Sequence, residues 1–113
     1  MNDSPLDANV VAQFSSQQIQ TYFTLYLKNA SNLIDNMMKD LSSGNNEVLR
    51  QHAHKLKGSS MVVGAVELKN LAGQIEDSVR ENKPLDSASI QQLRQQFQVL
   101  AEYLKKRYNL ERG

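Results

Sequence analysis

A chain of 113 residues with 13 Lys and Arg against 12 Asp and Glu carries a formal net charge of +1, which excludes both the basic excess of a nucleic-acid binder and an acidic tail. With no cysteine, it cannot build a disulfide framework or a cysteine-based metal site or nucleophile. The length suits one domain over 1–113, with a modest core and no room for the two lobes of an ATP-using kinase.

Residues 1–4 are polar and are expected to be disordered. Leu6, Val10, Val11 and Phe14 suit a short amphipathic helix or capping turn. From about Ser16 to Leu41, Ile19, Tyr22, Phe23, Tyr26, Leu27, Ala30, Leu33, Ile34, Met37 and Leu41 recur at steps of three and four, the signature of a long amphipathic helix. Ser42 to Asn46 reads as a turn, with Asn45 or Asn46 capping the next helix. That second bundle helix carries Val48, Leu49, Ala53, Leu56 and Ser60 and is expected to end before Gly64. A third carries Leu68, Leu71, Ala72, Ile75 and Val79 and ends near Asn82-Lys83-Pro84. A fourth starts near Ser87 or Ser89 and carries Ile90, Leu93, Phe97, Leu100 and Leu104. The expected fold is all-α: an antiparallel up-down-up-down four-helix bundle over about 16–109 with a short N-terminal helix. No run approaches the roughly 18 apolar residues of a membrane span, and the N-terminus is too polar for a signal peptide, so a cytoplasmic location is expected.

Helical rotation of about 100° per residue places the polar residues of the second bundle helix. With Leu49 at zero, Ala53, Leu56 and Ser60 fall within about 40° of it and form the buried stripe. His54 lies about 140° away, facing solvent, flanked on one exposed strip by Arg50, Lys57, Gly58 and Met61. His52 lies about 160° from His54, so the two cannot chelate one metal from a regular helix, and His52 reads as a core-boundary residue with a satisfied ring.

Each residue type on the strip has a chemical use. Neutral imidazole is a nucleophile near pH 7. A lysine ammonium steadies the charge of a transferring phosphoryl group. Glycine inside a helix costs about 1 kcal/mol relative to alanine, and a missing side chain lets a partner approach the histidine. Taken alone, a surface histidine beside a lysine is ordinarily just a solvated helix face; Gly58-Ser59-Ser60, three poor helix formers together, argue for more. On the third helix, Glu76 lies about 80° to one side of the apolar stripe, with Lys69, Gly73 and Arg80 slightly beyond. In one of the two bundle hands that flank meets the one carrying Lys57 and His54. Glu76 could then fix the imidazole tautomer; the plainer alternative is a boundary carboxylate paired with Lys69 or Arg80. Gly73 allows either close approach by a partner or tight helix packing.

His54-x-x-Lys57-Gly58-Ser59-Ser60, then Gly64, the leucines Leu68 and Leu71, and Glu76 closely resemble the signature of the histidine-containing phosphotransfer (HPt) domain of bacterial two-component phosphorelays. The resemblance implies that His54 is phosphorylated through Nε2, that Lys57 neutralises the phosphoryl oxygens and that Glu76 hydrogen-bonds Nδ1. It implies that Gly58 leaves room for the partner, with Arg50, Lys55, Met61, Lys69 and Gly73 rimming the docking surface. The implied partners are receiver domains of a hybrid histidine kinase and of a response regulator, with no nucleic acid or membrane. No cofactor is expected on this chain: magnesium belongs on the receiver, since no oxygen-rich cage is evident here. Four helices suffice to bury one core, so a monomer is expected. The alternatives are a helical adaptor that binds a partner without chemistry, and the phosphoacceptor domain of a chemotaxis-type kinase fed by an ATP-binding domain.

Overall fold

The computed structural model describes residues 4–110. Five helices follow in chain order: α1 (Ala8–Val11), α2 (Ser16–Ser43), α3 (Asn46–Val63), α4 (Val66–Arg80) and α5 (Ser87–Tyr108). Most of the expectation for residues 1–4 lies outside the described residues; within them, Ser4 Oγ accepts a hydrogen bond from Leu6 N at 3.1 Å.

Local chemistry sets the helix ends. Ser15 caps α2 reciprocally, its hydroxyl accepting from Gln18 N while the Gln18 side chain accepts from Ser15 N. The 28 residues of α2 span ~42 Å at the usual rise, which matches the longest dimension of the molecule, 41 Å. α2 runs two residues past the expected Leu41 and stops at Gly44, whose φ of 73° is the left-handed conformation that glycine adopts without penalty. Asn45, one of the two expected caps, accepts from Val48 N and starts α3.

Gly64 ends α3 with φ of 77° and is constrained twice over. A Cβ there would meet the Val10 Cβ at 3.1 Å and the Asp7 backbone oxygen at 3.3 Å. The N-terminal segment lies against this turn: Asp7 N donates to Gly64 O at 2.8 Å, and buried Leu6 forms an isolated antiparallel bridge with Ala65. The sequence showed no strand alternation, and this bridge is the sole extended pairing among the described residues.

Short turns make successive long helices antiparallel, and side-chain pairs record it. Early α2 meets late α3 through Tyr26 and Ser60, and late α2 meets early α3 through Asp40 and His52. Early α2 meets the end of α5 through Gln20 and the Tyr108 carbonyl, and Arg94 of α5 pairs with Asp35 further along α2. α3 packs on α4, α4 on α5, and α5 closes back on α2. This is an up-down-up-down bundle with a short N-terminal helix. Phe23, Ile34, Met37, Leu49, Leu56, Leu68, Ile90, Leu93, Leu100 and Leu104 fill its centre. Tyr22 departs from its expected place on the apolar face of α2: it is exposed and stacks edge-on against Phe14, ring centres 5.2 Å apart. No helix among the described residues is long and apolar enough to cross a membrane.

Candidate functional site

The hand of the bundle brings the polar flanks of α3 and α4 together. His54 stands in the middle of α3 with its side chain 68% exposed, while Glu76 of α4 is 1% exposed. His54 Nδ1 lies 2.8 Å from Glu76 Oε2. Glu76 was expected at the boundary of the apolar stripe; it sits deeper because α3 covers it.

A buried carboxylate ordinarily resists ionisation. Burial is the largest influence on Glu76 and pushes its pKa up, but the His54 hydrogen bond and the charges of His54, Lys57 and Arg80 together outweigh it. The carboxyl is held below its ordinary value, so it is ionised near neutrality and can only accept. The hydrogen therefore sits on Nδ1. In the neutral ring this leaves the lone pair on Nε2, the nitrogen on the exposed side of the pair. The site thus contains an oriented, solvent-facing nucleophile.

Cations surround it. Lys57 Nζ is 3.6 Å from Glu76 Oε1, an oxygen that otherwise has no hydrogen-bond partner. Arg80, one turn along α4, donates to Glu76 Oε2 at 2.9 Å, the same oxygen that faces His54. Pairing with His54 and pairing with Arg80 read as alternatives in the sequence; in the structure both occur. Arg50, one turn before His54, is 4.0 Å from Oε2 and held mainly by Glu47, which it grips through Nη2 at 2.6 Å and Nε at 3.2 Å. That grip lowers the pKa of Glu47 and raises that of Arg50.

The two helix-interior glycines differ. A Cβ on Gly58 would meet nothing within 4 Å, so the surface beside His54 is open. A Cβ on Gly73 would lie 3.6 Å from Lys57 Cδ. Gly73 therefore leaves the channel over α4 in which the lysine stem runs, an explanation distinct from both that the sequence offered. Met61 is exposed two turns beyond His54 on the same strip. Lys69 is half-buried and makes no ion pair among the described residues. Lys55 is exposed about 100° around α3 from His54, off the flank that meets α4.

Two further pairs escaped the sequence reading. His52 Nδ1 lies 2.6 Å from Asp40 Oδ2, joining α3 to α2 on the side away from Glu76, which satisfies the ring as expected but with a partner the helical wheel could not name. Buried Ser60 and Tyr26 share a 2.7 Å hydrogen bond. Among the described residues no group of three or more His, Asp or Glu side chains is placed to hold a metal.

Residues 21–103 match the family model of the Hpt domain, a span running from the first turns of α2 into the last turns of α5 and containing every residue of the site. No curated protein and no solved structure matches the chain. Domains of this family carry phosphoryl groups on histidine in phosphorelays and interact with receiver domains of kinases and regulators. With a match over most of its length, laid over a histidine oriented for attack, the chain belongs to the Hpt domain family of two-component phosphorelays.

Proposed function

We propose that this chain is a relay intermediate that takes a phosphoryl group from a receiver phospho-aspartate onto His54 and passes it to the aspartate of a second receiver. The observation that carries the reading is the 2.8 Å contact between exposed His54 and buried Glu76. The Nε2 lone pair attacks phosphorus, an N–P bond forms, and the P–O bond to the donor aspartate breaks, releasing its carboxylate. No proton need leave the ring. The positive charge that develops on it is shared with Nδ1–H, and the Glu76 carboxylate accepts that hydrogen throughout. Lys57, whose stem is guided by Gly73, reaches from beside Glu76 toward the phosphoryl oxygens and offsets their charge. The second transfer reverses these steps onto a new aspartate.

The donor and acceptor are expected to dock over Gly58 and Met61, with Arg50, Lys55 and Lys69 facing acidic residues around the receiver pocket. Magnesium in this reading is held by the receiver's carboxylates, and the chain works as a monomer.

The test uses two receivers and no kinase core. Radiolabelled phospho-receiver is mixed with the chain, and an unlabelled second receiver is then added. The account expects label to pass through the chain to the second receiver, and expects His54→Gln to block it. A chain that binds receivers but takes no label would be an adaptor. A chain labelled by an ATP-binding kinase core and not by a phospho-receiver would be a chemotaxis-type phosphoacceptor.

A further inference from the structure

Glu76 poses a problem for the nucleophile it orients. A fully charged carboxylate 2.8 Å from Nδ1 favours the doubly protonated ring, and that form has no lone pair with which to attack. A neutral acceptor would orient the ring without this cost. The chain has a carboxylate, and it also has Arg80 bound to the same oxygen.

We propose that Arg80 is a positioning residue for the phosphoacceptor: by donating to Glu76 Oε2, it draws off enough of the carboxylate's charge that Glu76 orients the ring without holding it protonated. The proposal rests on the phosphotransfer reading of His54. The geometry singles out Arg80 among the neighbouring charges. On α3, Arg50 is 4.0 Å from Oε2 and its charge is matched by Glu47. Lys57 faces the other oxygen, at 3.6 Å. On α4, Asp77 is 3.6 Å from Arg80 Nη1 and takes a second nitrogen of the guanidinium, which steadies it while Nη2 stays on Glu76. One guanidinium thus reaches one carboxylate oxygen from above while the imidazole reaches it from the side.

The test is the rate of labelling by a phosphorylated receiver across pH 6 to 9, for wild type, Arg80→Gln, Glu76→Gln and the double variant. For Arg80→Gln the account expects labelling about two- to fivefold slower near pH 6.5, converging on or exceeding the wild-type rate near pH 8.5, where the ring is neutral in both. It expects Arg80→Lys to restore most of the profile. It expects Arg80→Gln to have no such effect in the Glu76→Gln background, where there is no carboxylate charge to offset. A loss equal at every pH, or one that persists in that background, would make Arg80 a phosphoryl-binding group and overturn the proposal, as would an unchanged profile. Ring-nitrogen spectra of His54 over the same pH series need no phosphodonor. They should show the neutral ring giving way at higher pH in Arg80→Gln, so the proposal is tested even if the chain takes no label.

Discussion

The stem of Lys57 crosses Gly73, with Cδ 3.6 Å from where a Cβ would stand, and its ammonium comes to rest 3.6 Å from the buried Oε1 of Glu76. The glycine of one helix thereby sets the reach of the lysine of another.

Gly73 variants should separate stability from transfer. Gly73→Ala places a methyl at ordinary contact distance, so the domain should become more stable by up to about 1 kcal/mol through helix propensity, with transfer little changed. Gly73→Leu should push the lysine stem out of its channel and slow transfer about tenfold, in the range seen when an electrostatic stabiliser is misplaced. Denaturant melts and transfer rates on the same samples check both.

Gly58 should behave in the opposite sense. Its Cβ position is open, so Gly58→Ala should also gain up to about 1 kcal/mol of stability. Larger substitutions such as Gly58→Gln should fold normally yet weaken receiver binding, measured by titration calorimetry. A bulky variant with wild-type affinity would mean that the receiver does not approach this surface.

The fold was legible because its determinants are local. Three- and four-residue apolar spacing, Ser15, Asn45, Gly44 and Gly64 announce where each bundle helix begins and ends. On the site, the strip around His54 follows from rotation along one helix. What rotation cannot supply is the hand of the bundle, and therefore which flank Glu76 meets or how deeply it is covered. The same limit hid the partners that cross between helices: Asp40 for His52, Tyr26 for Ser60, and the shared use of Glu76 by His54 and Arg80. The bridge between Leu6 and Ala65 was hidden for another reason, since a single pairing leaves no alternation to read.

Ser60 and Tyr26 offer a test of the core. Burial raises the tyrosine pKa well above its ordinary value, against a smaller opposite effect of the Ser60 hydrogen bond, so the hydroxyl stays neutral and paired. Ser60→Ala should cost about 1–3 kcal/mol by stranding that hydroxyl. Adding Tyr26→Phe should recover part of the loss, and a double-mutant cycle from denaturant melts measures the coupling.

Glu76 should make stability depend on acid pH. Its folded pKa is depressed, so its contribution is fully present above the ordinary carboxyl range and is lost as pH falls through the lower folded value. Between about pH 5 and pH 3 the wild type should therefore lose more stability than Glu76→Gln, which has no proton to take up. Glu76→Leu should slow transfer more than Glu76→Gln, because only the amide can still accept from Nδ1.

The central claim is that Nε2 of His54 carries the phosphoryl group, and ring-nitrogen spectra of the chain phosphorylated by a phospho-receiver test it most directly. The account predicts a phosphoryl on Nε2 of His54, with Nδ1 still bearing its hydrogen, His52→Gln unaffected and His54→Gln unlabelled. A phosphoryl on Nδ1 of His54, or on His52, would contradict it.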